Sequence, residues 1–422
     1  MTAVPTTTPD PRLANAGWLR AEATQRVLTA IANGGGEARV VGGAVRNTLL
    51  GQPVTDIDIA TSVHPDDVIV RAEAAGLAAV PTGLAHGTVT VIAGHKPFEV
   101  TTLRRDVETH GRHATVAFTE DWAIDAHRRD FTINALYCDT DGRLFDPTGG
   151  LADLAANRVR FIGRAEDRIA EDYLRVLRFY RLTAYYGAGS IDRQGHAACA
   201  QLQSGLDQIS AERIRSELMK LLVAPHAAFV ACEMDDTGLL ARILGSAANM
   251  LSFARLIAIE AANGVPPDPI RRLYALSVAT PADACRLRDR LRLSKAEYER
   301  LADIVLPDRA FDPSESEDRA RCFIYRNGAD TYRDGVLMSW ANDLSVDPSS
   351  TPYRDRLCIA DHWIPPVLPI GGNDVLALGV PPGPEIGQIL DLLDQWWMTA
   401  GFPADEAIVR GRLAALINLK KS

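Results

Sequence analysis

The sequence has few cysteines, no excess of positive charge and no long apolar run. Its six cysteines are scattered over 422 residues, without the close spacing of a zinc knuckle or a redox pair, so we expect free thiols. With 45 Lys and Arg against 54 Asp and Glu, the formal charge is −9, which excludes a polybasic sheath for duplex DNA. No apolar run reaches the roughly 18 residues of a membrane helix, and the first residues lack the regions of a signal peptide. We therefore expect a cytoplasmic protein that binds neither a membrane nor DNA.

The hydrophobic pattern changes once along the chain. After a polar tail and a helix over residues 1–37, strand signals alternate with short helices over 38–150. After Gly150 the strand signals stop, and helical periodicity runs almost to the end. The pattern predicts an α+β protein with a small mixed-sheet head over 38–150. An all-α neck over 151–225 and a helical body and tail over 226–422 should follow.

Two glycines stand where a ligand phosphate is often bound. Gly42 and Gly43 lie between a predicted strand, residues 38–41, and a short helix that begins at Ala44. Glycines let the backbone approach a ligand closely, and the free N–H groups at a helix start favour a phosphate. Arg46, one turn later, adds positive charge. Taken alone, such a pair is more often an ordinary turn.

A pair of aspartates follows on the next predicted strand, residues 55–60. Asp56 and Asp58 are two residues apart, so both carboxylates should leave the same face of the strand. Paired carboxylates on one face can hold Mg²⁺ ions that bridge triphosphate oxygens and activate an attacking hydroxyl. Glu99, on a strand of a predicted hairpin, is either a third carboxylate of this group or an ordinary solvated strand residue.

Charged residues recur at three-residue spacing in the neck. On one helix, Asp172, Arg175, Arg178 and Arg181 would lie along a single face, with Glu171 beside it. One interpretation is a salt-bridged solvent face. The other is a site that a ligand completes, because three arginines with one carboxylate are costly to enclose without one.

In this order, the segments resemble the class II nucleotidyltransferases, which comprise the CCA-adding tRNA nucleotidyltransferases and bacterial poly(A) polymerases. After the Gly-Gly, Arg and Asp-x-Asp pattern, the family's Arg-Arg-Asp-Phe-Thr-x-Asn segment stands at residues 128–134. Its Asp-Pro-x-Gly-Gly hinge is at 146–150, its Glu-Asp-x-x-Arg-x-x-Arg helix at 171–178 and its later Glu-Arg helix at 209–218. The family usually has Asp where this chain has Asn47, a position that we expect to cap or brace the turn.

The resemblance implies a nucleotidyltransferase that adds C, C and A to the 3′ end of tRNA. In this reaction the tRNA 3′-hydroxyl attacks the α-phosphate of CTP or ATP, Mg²⁺ is the cofactor, and pyrophosphate leaves. Asp172 and Arg175 are then expected to read the Watson–Crick edge that C and A share. The expected site comprises the metal ligands Asp56 and Asp58, Glu99 as a third catalytic carboxylate, and the nucleotide-binding residues Gly42, Gly43, Arg46, Arg129, Asp130, Asn134, Glu171, Asp172, Arg175, Arg178 and Arg181.

Other functions within and beyond this family stay open. The nearest is a poly(A) polymerase, and C-only or A-only adding enzymes are a further possibility. Bacterial poly(A) polymerases usually carry an Arg-Arg-Phe-containing segment soon after the Asp-x-Asp strand, whereas residues 83–89 here look like the CCA-adding form. A non-catalytic RNA-binding relative is the most distant alternative, and the intact Asp56 and Asp58 argue against it.

The segment from Leu103 to Ile124 has little periodic apolar content. It predicts a mobile loop. In the resembling enzymes, the loop at this position is needed for the final A addition, because it helps to switch specificity from C to A.

Overall fold

The structure, a computed structural model, describes residues 8–110, 113–305, 311 and 313–421. The chain divides into two compact units, residues 1–243 and 244–422. The predicted boundaries at residues 150 and 225 stay a prediction. Among the described helices, none combines the length and the apolar content that a bilayer span requires.

The first unit contains the described strands and the first thirteen described α-helices. Its strands are β1 (Ala38–Val41), β2 (Asp58–Thr61), β3 (Ala78–Gly83), β4 (Thr88–Ala93), β5 (Lys96–Thr102), β6 (Arg104–His110), β7 (His113–Phe118), β8 (Tyr137–Cys138) and β9 (Leu144–Phe145). Its helices are α1 (Pro11–Ala14), α2 (Gly17–Arg20), α3 (Glu22–Ala32), α4 (Gly43–Leu49), α5 (Pro65–Ala74), α6 (Trp122–His127), α7 (Gly150–Ala155), α8 (Ala165–Glu171), α9 (Leu174–Tyr186), α10 (Arg193–Leu202), α11 (Ala211–Leu222), α12 (Ala227–Asp236) and α13 (Leu239–Leu244), which ends one residue past the boundary.

The main sheet is mixed, as predicted. Within the described residues its strand order is β3-β4-β5-β2-β1-β8-β9, and β2 runs parallel to β5 while the other neighbours are antiparallel. Val40 and Val41 of β1, next to the central strand β2, are buried, and α3 and α5 pack on the sheet. The parallel register sets Asp58 directly beside Glu99, so chain topology brings two carboxylates together that are 41 positions apart.

Two sequence expectations in this unit need correction. The strand expected over 55–60 begins only at Asp58, so Asp56 lies in the segment before it. The segment from Leu103 to Ile124, predicted as a mobile loop, contains regular structure, because β6 and β7 pair as an antiparallel two-stranded sheet and α6 follows. The two strands pair through main-chain hydrogen bonds, which require no apolar periodicity, so the apolar pattern did not indicate them. Residues 111 and 112, between the two strands, lie outside the described residues.

The second unit is helical throughout its described residues, as predicted. Its helices are α14 (Met250–Asn263), α15 (Pro269–Ser277), α16 (Pro281–Leu291), α17 (Lys295–Val305), α18 (Glu317–Asn327), α19 (Ala329–Asn342), α20 (Thr351–His362), α21 (Gly372–Ala377), α22 (Pro384–Thr399) and α23 (Glu406–Lys421). One core forms around Trp340 and Leu337, and another, nearer the C-terminus, around Trp397 and Leu413.

Candidate active site

A cavity of about 470 Å³ lies in the first unit, with the end of β1 and the start of β2 on one side and α9 on the other. Of the described residues, those lining it include seven arginines but only three aspartates, so positive charge is in excess. The lining residues are Gly42, Gly43, Arg46, Asp58, Arg128, Arg129, Asp130, Asn134, Asp172, Leu174, Arg175, Arg178, Arg181, Leu182 and Arg213. Such a concave, cationic surface favours an anionic ligand.

Gly42 makes the turn from β1 into α4. Its φ of +74° is a backbone conformation that glycine adopts without strain. Its N–H donates to the carbonyl oxygen of Leu136 at 3.0 Å, which fixes the turn against the segment that precedes β8. The backbone of Gly42 and Gly43 therefore lines the cavity without side chains in the way.

Arg46 lies almost buried at the cavity wall, with 8% of its surface exposed. Its Nε and Nη2 donate to Oδ1 of Asn47 at 3.2 and 3.0 Å, and its Nη1 donates to Oδ1 of Asn134. Asn47 Nδ2 in turn donates to the carbonyl oxygen of Pro53 at 3.0 Å. Asn47 thus braces the turn after α4, the role expected for it from the sequence.

The carboxylates lie at the start of β2 and beside it. Asp58 lines the cavity and is exposed to solvent. Its pKa is raised, first by partial desolvation and then by the charge of Glu99, and Asp56 adds a smaller contribution. Asp56 is exposed and accepts a hydrogen bond from the hydroxyl of Thr55 at 3.0 Å. The predicted strand start at residue 55 is wrong, because the ladder begins at Asp58, and a shared face for Asp56 and Asp58 stays a prediction.

A buried carboxylate holds two arginines of the segment after α6. Asp125 is 1% exposed, and it accepts from Arg128 Nε at 2.7 Å, from Arg129 Nη2 at 3.1 Å and from the hydroxyl of Tyr137 at 2.8 Å. Burial alone would raise the pKa of Asp125, but Arg129 and Arg128 outweigh it, so the carboxyl stays charged. Asp125 therefore orients both guanidinium groups toward the cavity.

Asp130 and Asn134 link this segment to α9. Arg178 Nε donates to Oδ2 of Asp130 at 2.8 Å, and Asn134 Nδ2 donates to Oδ1 of Asp130 at 3.0 Å. Burial opposes the charge on Asp130, yet Arg178 and Asn134 lower its pKa to about 2. The predicted residues Asp130, Asn134 and Arg178 are thus one hydrogen-bonded group.

Asp172 is not on one helix with the three arginines of the neck, as the spacing predicted. Helix α8 ends at Glu171, Asp172 is extended with φ −152° and ψ 106°, and α9 starts at Leu174. Oδ1 of Asp172 accepts from the backbone N–H of Leu174 at 3.1 Å. An aspartate that bonds the first N–H groups of a helix favours a break before it, which explains the difference.

The neck charges are paired, and most of them also line the cavity. Asp172 accepts from Arg213 Nη2 at 2.7 Å, Arg175 Nη1 donates to Glu171, and Arg181 Nε donates to Glu217 at 2.5 Å. Glu171 is outside the lining and holds the guanidinium of Arg175. The neck charges are therefore salt-bridged and most of them line a cavity, and their completion by a ligand stays a prediction.

The cavity collects most of the expected site, and the described lining residues leave out three of its members: Asp56, Glu99 and Glu171. Four lining residues were not selected from the sequence: Arg128, Leu174, Leu182 and Arg213. Arg128 and Arg213 lie within segments that match the family's motifs, so the sequence could have indicated them. Leu174 and Leu182 look like ordinary core positions in the sequence.

Comparison with known proteins identifies the family. Residues 38–160 match the Poly A polymerase head domain, and residues 190–251 match the probable RNA and SrmB-binding site of polymerase A. The mitochondrial CCA tRNA nucleotidyltransferase 1 of Mus musculus is 35% identical over 377 residues, which cover 87% of this chain and 84% of the mouse protein. The chain belongs to the CCA tRNA nucleotidyltransferase family.

Further relatives support the assignment over nearly the whole chain. A CCA-adding enzyme of Streptococcus pyogenes serotype M4 is 30% identical over 405 residues, covering 92% of this chain and 96% of that enzyme. The crystal structure of the Bacillus stearothermophilus CCA-adding enzyme in complex with CTP has a TM-score of 0.73 at 26% identity, with 98% and 99% of the two chains covered. This member of the family is a nucleotidyltransferase enzyme with the family's α+β fold.

Nucleotidyltransferases of this kind generally use divalent metal ions. In the described part of the chain, no group of three or more His, Cys, Asp or Glu side chains is arranged to hold a metal by itself. The raised pKa of Asp58 beside Glu99 and Asp56 nevertheless fits a cation, because a divalent charge would offset the repulsion among the carboxylates. Hard cations of this type also accept water and phosphate oxygens as ligands.

Proposed function

We propose that the protein adds C, C and A to the 3′ end of tRNA from CTP and ATP without a nucleic-acid template. The observation that carries this proposal is the cationic cavity, which places Asp58, the Gly42-Gly43 turn and Asp172 around one space. Its excess of arginine suits a triphosphate. The names of the full-length relatives, and the CTP in the Bacillus stearothermophilus structure, support the same activity.

The reaction transfers a nucleotidyl group. The 3′-oxygen of the RNA forms a bond to the α-phosphorus, the bond from that phosphorus to the bridging oxygen breaks, and pyrophosphate leaves with the electron pair. The proton of the 3′-hydroxyl passes to water or to a nearby carboxylate. Asp56 and Asp58 would hold Mg²⁺, which supplies charge stabilisation and a more nucleophilic hydroxyl when bound. Arg46 and the glycine turn hold the triphosphate.

Residues 129–134 support the nucleotide between the metal-binding carboxylates and the base. By the family resemblance, Arg129, Asp130 and Asn134 secure ribose and phosphate. Their fixed orientation supports this role, because Asp125, outside the lining, holds Arg129, and Arg178, within the lining, holds Asp130. Groups held in this way lose little freedom when a ligand binds.

Base selection is assigned to Asp172 and Arg175. Arg213 and the N–H of Leu174 each occupy one oxygen of the Asp172 carboxylate, which fixes its plane. Each carboxylate oxygen can accept two hydrogen bonds, so Asp172 retains capacity for the exocyclic amine of cytosine or adenine. Arg175 would donate to the ring acceptor next to it, with Arg178 and Arg181 supporting both. Uracil and guanine present a carbonyl oxygen to Asp172 and would leave it unpaired.

The alternatives are less well supported. The matched head domain is described as that of poly(A) polymerase, but the relatives that cover most of the chain are named for CCA addition. A non-catalytic relative would not need Asp58 at the cavity. The cytoplasmic location stays a prediction, since the name of the mouse relative is mitochondrial.

Stepwise extension of RNA tests the proposal. The purified protein is incubated with tRNA that ends before CCA, after C or after CC, and with each labelled nucleotide in turn. We expect CTP to be added twice, ATP once after CC, and GTP and UTP hardly at all. Chelation by EDTA should stop the reaction, and Mg²⁺ should restore it. A long A tail would identify a poly(A) polymerase, and arrest after CC would identify a C-only enzyme.

A further inference from the structure

Tyr186, the last residue of α9, contacts Arg46, which lines the cavity. Its hydroxyl accepts a hydrogen bond from Arg46 Nη2 at 2.8 Å and donates to Asn47 Oδ1 at 3.1 Å. The Arg46 guanidinium also lies over the Tyr186 ring, with its Cζ 4.2 Å from the ring centroid. The tyrosine therefore binds Arg46 through both its ring and its hydroxyl.

These contacts leave Arg46 little freedom. A guanidinium has five N–H groups. Within the described residues, four of them are used: Nε and one Nη2 hydrogen by Asn47, the second Nη2 hydrogen by Tyr186, and one Nη1 hydrogen by Asn134. One Nη1 hydrogen remains on a residue that lines the cavity.

Helix α9 is linked to Arg46 at two positions. In its first half, Arg178 holds Asp130, Asp130 holds Asn134, and Asn134 accepts from Arg46. At its end, Tyr186 contacts Arg46 directly. The helix that carries Arg175 is thus joined at two points to the arginine assigned to the triphosphate.

We propose that Tyr186 is a positioning residue for nucleotide binding. It fixes the Arg46 guanidinium so that its remaining N–H points to the triphosphate, and it ties that group to the helix that reads the base. This inference rests on the proposed function. Because CTP and ATP share the triphosphate, Tyr186 should influence both nucleotides equally and should not influence the choice between them.

The test is Tyr186→Phe, which keeps the ring over Arg46 and removes only the hydroxyl. Loss of one hydrogen bond to a charged group should raise KM for CTP and for ATP by the same factor, about three- to tenfold. The value of kcat should change less than about twofold, because the hydroxyl does not touch the reacting atoms. The ratio of CTP to UTP use should stay constant.

Tyr180→Phe is the matched control. Tyr180 lies on the same helix, is buried, and its hydroxyl hydrogen-bonds with His196 Nδ1 at 3.1 Å, away from the cavity lining. Its loss should lower the melting temperature and leave KM unchanged. An equal rise of KM in both variants would overturn the proposal, because the effect would then be a general one of loosening α9.

A double-mutant cycle asks whether Tyr186 acts through Arg46. In an Arg46→Ala background, Tyr186→Phe should have no further effect on KM. Full additivity overturns the proposal, and so does an unchanged KM in the single variant. If the unmodified protein fails to extend tRNA, the proposed function fails instead. In that case the dissociation constant of CTP, measured by calorimetry, still tests Tyr186 by the same expected factor.

Discussion

Two cavities of nearly equal volume differ in their balance of charge. The one in the first unit, of about 470 Å³, is lined by seven arginines and three aspartates among the described residues. The one in the second unit, of about 460 Å³, is lined by Arg271, Arg300 and Arg333 and by three aspartates, counted over the same described part of the chain. Similar size and similar residue types therefore give one cationic cavity and one neutral cavity.

The arginines of the second cavity are neutralised by carboxylates of the same unit. Arg271 Nη1 lies 3.0 Å from Asp334 and its Nη2 lies 2.8 Å from Glu260, while Arg300 lies 2.9 Å from Asp334 and 2.8 Å from Asp268. Asp334 and Glu260 are each about 1% exposed. This network is typical of ion pairs that link helices, because its charges are balanced without a ligand.

The difference shows which property marks the site. The presence of arginine does not distinguish the site, since both cavities have arginines. The absence of ion pairs does not distinguish it either, since Arg175, Arg178 and Arg181 are paired as well. A cationic lining at an open cavity does mark it, because the carboxylates that pair with Arg128, Arg129, Arg175 and Arg181 lie outside the lining, so the surface that a ligand meets is positive. Variants in the first cavity should therefore affect nucleotide addition, whatever they do to stability, and variants in the second should affect stability alone.

The largest effect is expected at Asp58. Asp58→Ala should lower incorporation of CTP and ATP at least about a hundredfold, because a carboxylate that binds the catalytic metal is lost. Its raised pKa means that the folded protein disfavours its charge, so the melting temperature should stay the same or rise. A variant that retains more than about a tenth of the rate would remove Asp58 from the mechanism. Glu99→Gln, outside the lining, should lose less.

The second cavity should respond in the opposite way. Asp334→Asn removes the buried carboxylate that Arg271 and Arg300 share and leaves them, among the described carboxylates, only Glu260 and Asp268, which should reduce the free energy of unfolding by about 3–5 kcal/mol. The value of kcat/KM per folded molecule should be unchanged at saturating tRNA. Denaturant titration and steady-state kinetics measure the two quantities.

Asp361→Asn is the control at the same cavity. Asp361 is half-exposed and pairs with Arg333 at 2.8 Å, so its loss should cost less than about 1 kcal/mol. If Asp334→Asn proved as mild as this control, or if it abolished nucleotide addition, the contrast between the two cavities would be wrong.

Local patterns predicted much of this arrangement, and long-range pairing supplied the rest. Buried Val40 and Val41 followed by Gly42 indicated the strand and turn correctly, because those residues determine backbone conformation locally. Spacing failed at Asp172, where a capping side chain interrupts the helix. Neither the neighbourhood of Asp58 and Glu99 nor the contact of Arg46 with Tyr186 is visible in spacing, since each depends on how distant segments meet.

Acid titration should show a third effect, at Asp130. Its pKa is about 2, against an ordinary 3.8, so its stabilising contribution is present above about pH 4 and disappears as the pH falls toward 2. Asp130→Asn should therefore lower the free energy of unfolding by about 2 kcal/mol at pH 7, and the difference should shrink at lower pH. Denaturant titrations at pH 7, 4 and 3 measure this. Curves that stay parallel would show that Arg178 and Asn134 do not stabilise the charged form.

The most specific effect is expected at Asp172. Asp172→Ala removes the acceptor that rejects uracil, so discrimination between CTP and UTP should fall by about 1–3 kcal/mol, roughly fivefold to 150-fold. Metal-dependent activity should survive, because Asp58 lies on a different element. Alanine also removes the bonds to Leu174 and Arg213, so some loss of melting temperature is expected in this variant.

Asp172→Asn distinguishes the role of Asp172 in base recognition from its role in capping the helix. The amide oxygen can still accept from the N–H of Leu174, so most of the stability should be retained. Its NH₂ group cannot accept from the amine of cytosine but can donate to the carbonyl of uracil. The CTP/UTP ratio of kcat/KM should therefore fall at least as far in Asp172→Asn as in Asp172→Ala, while the melting temperature falls less. If both ratios stay unchanged and both variants slow every nucleotide equally, Asp172 serves only the salt-bridged cap, and base selection must be assigned to other residues of the cavity.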